Sequence, residues 1–514
     1  MKHIEDNIMN LYKKISGEFK IAFISVWIFG LIAHAYMFTN KLPNYDDLLG
    51  VNGFGATFKV GRWFLWIIGA ISHHLNLVFS LPWMNGLITL LTIAVSAGLI
   101  ACLLGCKSKL ANILIGAILA VFPSWTGTFF YMFTAHYYGI AVLMAVLSVY
   151  LTVRKKRGFV FGIILLACSM GIYQAYLPFT ATLYVVLLIT MLFEEKYTYL
   201  DIIKKSVFYL CNLIGGVVLY YVCMKMSLAI TGQTLNDYKG LGTMGQFDLS
   251  RIDEIIHTIW TNYFCVFLNN NLEISYNLIT KVMYLVLLCA SIVMVGIMAL
   301  WQIKKKNYLK LAETLILFFV YIIAINSIYI MCSDGVYSLM CYSYSFMVIF
   351  PIALLDRIFK IYDTNLVIGL EYVITCIIFI GVLNYCHFSN GQYLSIQLSY
   401  EQAKSYYTAM ITQIKSAEGY HDTMKVAFKG ERIADQTLYR NDVMAPFSMS
   451  GRDDALVDAY SSAYLLKYYC GFDAEYVSVD EMSMNAQKEI NDMPTYPNDG
   501  SIKVIDGVVV VKIL

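Results

Sequence analysis

Long apolar runs separated by short polar breaks occupy the chain from about residue 20 to residue 386. A helix that crosses a bilayer needs about 20 predominantly apolar residues. About eleven runs approach that length: 20–39, 81–105, 110–124, 134–153, 158–173, 176–193, 206–230, 276–302, 309–331, 338–356 and 365–386. Each predicts a membrane helix, the third, fifth and sixth being short. The stretch 63–79 is apolar too, but His73, His74 and Asn76 interrupt it, so it reads either as a twelfth span or as a helix lying in the membrane interface. Past residue 386 the pattern changes. Tyr400, Ala403, Tyr407, Met410 and Ile414 recur at helical spacing within 392–416. Segments 425–428 and 502–514 read as strands, the second turned into a hairpin at Asp506-Gly507, and 454–469 reads as a helix. The tail is long enough for one small α+β domain with its own core. The chain therefore divides into a membrane part, 1–386, and a tail domain, 387–514.

Composition identifies lipid as the main solvent. Hydrophobic residues make up 59% and charged residues 14%, with a mean hydropathy of +0.63, whereas a soluble domain carries about 45–50% apolar and about 25% charged residues. A net charge of +2 gives no general pull toward nucleic acid. Most of the 12 cysteines, Cys102, Cys168, Cys211, Cys223 and Cys376 among them, lie inside apolar runs without metal-ligand spacing and read as packing residues. The first run is long enough to span by itself, so it reads as an uncleaved anchor.

Lys and Arg beside membrane helices mark the cytoplasmic loops. With the N-terminus inside, alternate loops carry Lys107 and Lys109, Arg154 to Arg157, Lys204 and Lys205, Lys304 to Lys306, and Arg357 with Lys360. Counting 63–79 as a span would move all five clusters outside, so charge favours the interfacial reading. Segments 40–80 and 231–275 and the tail then face the exterior. The last of these makes the tail domain extracytoplasmic.

The outer segment 40–80 holds Asn44-Tyr45-Asp46-Asp47, then Lys59 and Gly61-Arg62-Trp63. Two adjacent carboxylates repel each other, which raises the cost of ionising both. A cation, a basic partner or a substrate hydroxyl that gives up its proton offsets that cost. Pro, Asn and Asp are also turn residues, so a solvated turn is the competing reading. In a chain so poor in charge, Asp46, Asp47, Lys59 and Arg62 on one loop have the electrostatic makings of a site. Arg62 suits a phosphate through its bidentate fork and Lys59 as a point charge; both equally suit snorkelling toward lipid headgroups beside Trp63. His136, Tyr173 and Gln174 stand at outer ends of spans, and Asp334 in an outer loop. Each could contact a sugar or phosphate, or serve as an ordinary helix-end polar group. No Walker A loop, HExxH, GxSxG or dinucleotide fingerprint occurs, which leaves ATP-driven transport and soluble-type hydrolysis without support. The apolar runs read as almost free of Asp, Glu and Arg, with Lys225 and Glu371 near ends, whereas ion-coupled transporters use intramembrane ionisable groups.

Taken in order, Asn44-Tyr45-Asp46-Asp47, Gly61-Arg62-Trp63, Gly171-Ile172-Tyr173-Gln174-Ala175-Tyr176, and Tyr496-Pro497-Asn498-Asp499-Gly500-Ser501-Ile502 running into Val508-Val509-Val510-Val511-Lys512 form a pattern that resembles the GtrII family of bacterial glucosyltransferases, integral membrane enzymes of the GT-C class. The resemblance implies a GT-C-like, α-helical polytopic fold in the bacterial plasma membrane. It implies a polyprenyl-phosphate sugar donor, carrying glucose, and a cell-surface polysaccharide or teichoic-type acceptor. It also implies an inverting transfer with a catalytic Asp or Glu in the first external loop, where Asp46 and Asp47 stand. One would take the acceptor proton, while the other orients it or helps hold a cation. Arg62 and Lys59 would meet the leaving phosphate, and Asn44, His136, Tyr173, Gln174 and Asp334 would line the substrate. Many GT-C enzymes carry a second acidic residue in the next external loop. Segment 123–138 has none, so a divalent metal such as Mg or Mn would have to rest on Asp46 and Asp47. The tail domain, from its position, would cover the outer vestibule and help choose the acceptor. Two readings compete: a lipid-linked sugar or polysaccharide flippase without transferase chemistry, and a scaffold whose exported tail binds a partner.

Overall fold

The computed structural model describes residues 2–50, 53–236, 252–264, 277–332, 336–359, 361–362, 364–430 and 461–513. The helices through the membrane part are α1 (Lys2–Lys14), α2 (Gly17–Thr39), α3 (Tyr45–Leu49), α4 (Trp63–His74), α5 (Pro82–Leu104), α6 (Lys109–Val121), α7 (Pro123–Phe129), α8 (Met132–Arg154), α9 (Gly158–Ile172), α10 (Tyr176–Leu192), α11 (Tyr199–Thr231), α12 (Ile252–Phe264), α13 (Leu278–Lys304), α14 (Tyr308–Met331), α15 (Phe346–Ile358) and α16 (Asn365–Ser416). The tail adds β1 (Lys425–Lys429), α17 (Ser462–Cys470), β2 (Tyr476–Val477), α18 (Met484–Asp492), β3 (Ile502–Ile505) and β4 (Val508–Lys512).

Eight helices among the described residues are long and apolar enough to cross a membrane: α2, α5, α6 continued through α7, α8, α11, α13, α14 and α16. The chain is an α-helical membrane protein. On α2, Ile24, Ile28 and Ile32 are exposed along one stripe, and Val207, Leu210, Ile214 and Val218 do the same on α11. Spacings of three and four residues keep such side chains on one face, and exposed apolar surface of that extent suits lipid rather than water. Where helices touch each other the side chains are small. A Cβ on Gly116 of α6 would lie 2.4 Å from the Ala22 carbonyl oxygen of α2, and one on Gly162 of α9 would lie 2.2 Å from Thr152 Oγ1 of α8. Close backbone approach replaces the hydrophobic drive that lipid cannot supply between helices.

Several expected runs differ in form. Helices α9 and α10 have only 15 and 17 residues. The expected run 338–356 begins as two 3-10 turns, Ser338–Met340 and Tyr342–Ser345, before the 13 residues of α15. Hydroxyls explain the change, because they compete for backbone partners. Ser343 Oγ donates to the Ile325 carbonyl, Ser345 Oγ to the Tyr342 carbonyl and the Tyr342 hydroxyl to the Leu119 carbonyl. The segment is buried in protein, where irregular backbone finds the partners that lipid lacks. Helix α4 has 12 residues, about 18 Å at 1.5 Å per residue, well short of a hydrocarbon core of about 30 Å. That length supports the interfacial reading of 63–79. The run 309–331 is less free of charge than the pattern suggested, since α14 carries a buried Lys310 and a half-buried Glu313 in its first two turns.

The described chain separates into two compact units. One contains the residues up to Asn40 and Phe54–Asn390; the other contains Lys41–Gly53 and the residues from Gly391 onward that include β1–β4, α17 and α18. In the second unit the strand order is β2-β1-β4-β3, with β1 parallel to both neighbours and β3 antiparallel to β4. Asp506 and Gly507 take φ of 50° and 72°, the left-handed pair that a two-residue hairpin turn needs. Alternation along the strands divides the core in two. Val426, Val509 and Val511 pack with Tyr407, Met410 and Ile414 of α16 and Leu465 and Leu466 of α17, while Ala427 and Val510 pack with Ala486 and Ile490 of α18. The fully buried Leu48 of α3 belongs to the first of these cores.

Candidate active site

In the second unit Asn44 opens α3 as its N-cap, its Oδ1 accepting the Asp47 N–H at 2.8 Å. Leu48 is locked in the core beside Leu465 and Leu466, which fixes the rotation of this short helix. Asp47 is thereby turned inward, at 1% exposure, and Asp46 stays half-buried. A solvated turn does not describe such a pair. Lys41 Nζ donates to Asp47 Oδ2 and supplies the basic partner that adjacent carboxylates require. Tyr469 of α17 lies in the field of the same carboxylate. Burial first, and then the Asp47 charge and the Tyr400 phenol, hold the Tyr469 hydroxyl well above the usual tyrosine range. The Tyr400 and Tyr469 rings meet edge to face, with centroids 5.4 Å apart.

The donor set of this pair does not fit a resident divalent cation. An ammonium already occupies Asp47, and no group of three or more His, Cys, Asp or Glu side chains gathers in a metal-holding arrangement among the described residues.

In the first unit a second arrangement forms around Arg62, the residue that opens α4. Gly61 before it has φ of 72°, and a Cβ there would lie 2.6 Å from the Tyr220 hydroxyl and 3.0 Å from Gln174 Nε2, so only glycine fits. Gln174 Nε2 donates to the Val60 carbonyl at 2.9 Å and to the Tyr220 hydroxyl at 2.9 Å, tying the loop before α4 to the α9–α10 junction and to α11. The Arg62 guanidinium carbon stands 5.1 Å from the Tyr173 ring centroid and 6.0 Å from that of Tyr138. Those two rings stack at 4.7 Å. A guanidinium laid on aromatic faces keeps the plane of its fork fixed for an oxyanion.

A family model described as Glucosyl transferase GtrII matches residues 35–355. The chain belongs to the GtrII glucosyltransferase family. No curated protein and no solved structure matches it. A GtrII glucosyltransferase needs a sugar donor and an acceptor, and the matched residues include Lys41, the acidic pair and the whole Arg62 arrangement, but not Tyr400 or Tyr469. The match ends within α15, before α16 and the tail.

Of the residues singled out in the sequence, Arg62, Tyr173 and Gln174 come together in the first unit, and Asn44, Asp46 and Asp47 in the second. The grouping of Asp46, Asp47, Lys59 and Arg62 as one loop cluster is divided between the two units. Lys59 is exposed in a 3-10 turn, Phe58–Val60, and its carbonyl accepts the Asn236 N–H at 2.8 Å. His136 is buried with its ring centroid 3.9 Å from that of Tyr137, and its Nδ1 has no partner among the described residues. Asp334 lies outside the described residues. Lys41, Tyr138, Tyr220, Tyr400 and Tyr469 were not foreseen. Lys41 is the cation nearest to the pair in sequence, and that proximity could have found it; nothing local pointed to Tyr400 or Tyr469.

Proposed function

We propose that this GtrII glucosyltransferase moves glucose from a polyprenyl-phosphate donor to a cell-surface polysaccharide or teichoic-type acceptor, on the outer face of the bacterial plasma membrane and with inversion at the anomeric carbon. The observation that carries this reading is the inequality of the acidic pair. Asp47 is buried against Lys41, whereas Asp46 is half-exposed on the same turn. Asp46 is the general base: it takes the proton of the acceptor hydroxyl as that oxygen bonds to the anomeric carbon and the bond to the donor phosphate oxygen breaks. The polyprenyl phosphate leaves with the electron pair. Asp47 and Lys41 hold α3 in place for this step. Within the first unit, Arg62, braced on Tyr173, pairs with the phosphate of the bound donor, and Lys59 adds positive charge at longer range.

The reading includes a GT-C-like frame of about eleven crossings, an N-terminus inside and a tail outside. The positive-inside pattern of the short loops supports that orientation. A reporter fused after Ile513 should be active only outside the cytoplasm. The decisive experiment measures glucose transfer from undecaprenyl-phosphate glucose in membranes carrying Asp46→Asn or Asp47→Asn. Asp46→Asn should lower the rate by about 10²–10⁴-fold, the usual worth of a general base. Full activity in both variants would sink the catalytic assignment of the pair, and absence of transfer by the unaltered protein would favour the flippase reading.

A further inference from the structure

Two tail tyrosines pack against the core that holds Leu48, the residue next to the acidic pair, and the reaction uses neither. Tyr469 feels the Asp47 charge, and Tyr400 meets Tyr469 edge to face at 5.4 Å. Both rings pack against the core that contains Leu48, Leu465 and Tyr407, and both remain half-exposed. Burial and the Asp47 carboxylate keep the Tyr469 phenol protonated, so it presents an O–H donor and not an anion. Half-exposed aromatic faces, a hydroxyl donor and a half-exposed carboxylate in one compact unit match the chemistry of a pyranose. Its C–H face packs on an aromatic ring and its hydroxyls take hydrogen bonds. An anionic ligand is disfavoured there by Asp46 and Asp47.

We propose that Tyr400 and Tyr469 form an acceptor subsite, where a neutral pyranose of the acceptor glycan stacks and offers its hydroxyl to Asp46. The proposal rests on reading Asp46 as the base, and it adds the class of group that the base deprotonates.

The test uses the full chain in nanodiscs, with maltotriose, an N-acetylglucosamine trimer, a rhamnose trisaccharide and a glycerol phosphate trimer as probes. Binding is measured by calorimetry. At least one neutral trisaccharide should bind the unaltered protein. Tyr400→Ala should weaken it by about tenfold, the loss of one aromatic contact. Tyr469→Phe keeps the ring and its packing and should weaken binding by about threefold, with the melting temperature unchanged. The subsite is overturned by the absence of binding to every neutral trisaccharide, by equal affinity in both tyrosine variants, or by binding of the glycerol phosphate trimer alone. Asp46→Asn separates the two claims, because it should keep the trisaccharide bound while transfer is lost. Transfer that survives Asp46→Asn overturns the base, and binding that survives both tyrosine changes overturns the subsite.

Discussion

Adjacent aspartates acquire different chemistry from one buried leucine between them and the core. Leu48 fixes the turn of α3, so Asp47 faces inward to Lys41 while Asp46 does not share that burial. Lys41 is 29% exposed and Asp47 1% exposed, so removing the lysine leaves a mostly desolvated carboxylate less well compensated. Lys41→Met should cost about 1–3 kcal/mol in unfolding free energy, and Lys41→Met combined with Asp47→Leu should recover much of that loss. Denaturant unfolding of the purified chain checks both. Arg62→Lys keeps the charge but loses the planar group that rests on Tyr173, and should cut transfer by about tenfold, read as a rise in donor KM rather than a fall in kcat. The motif Asn44 to Asp47 was visible in the sequence as candidate chemistry. Which carboxylate is screened was not, because the residues that hold Leu48 and face Asp47, Leu465, Leu466 and Tyr469, come from a distant part of the chain.

Elements whose partners are local were the most legible. The Asp506-Gly507 hairpin was readable because its turn chemistry and its two strands lie within a dozen residues. The run 338–356 reads as one regular helix but is not one, since apolar composition does not reveal that serine hydroxyls reach Ile325 and Tyr342. Strand β2 and helix α18 went unpredicted; two residues and a polar amphipathic turn carry little periodic signal. Helix α3, at 5 residues, has no stability of its own. Leu48→Ala should therefore release it, at a cost of about 2–5 kcal/mol, with amide exchange in 44–49 rising far more than in α4. Transfer should fall with it.

Across the molecule, the family match and the folding units do not share boundaries. Residues 35–355 match the family, yet Lys41–Gly53 within that range folds with the tail that lies beyond it. Deleting the tail should abolish transfer even though it removes no matched residue, because α3 loses its core. Transfer should also persist in excess chelator, since Lys41 and not a metal ion compensates Asp47. The tail unit should lose stability as pH rises above about 10. There an unfolded Tyr469 releases its proton while the folded one keeps it, so the unfolded state binds fewer protons and stability falls with pH. Tyr469→Phe should flatten that slope, measured as the unfolding midpoint between about pH 9 and pH 11.

The sequence by itself determined that the chain lives in a membrane, where most of its helices run, that the tail ends in a hairpin, and that an acidic pair follows the first helix. Hydropathy, helical spacing and turn chemistry act over a few residues and can be read along a line. The tertiary structure alone decided that the acidic pair belongs to the tail's core, that Lys41 and Tyr469 frame Asp47, and that Arg62 rests on Tyr173. Those outcomes depend on which distant side chains are buried together, and burial is a property of the packed chain.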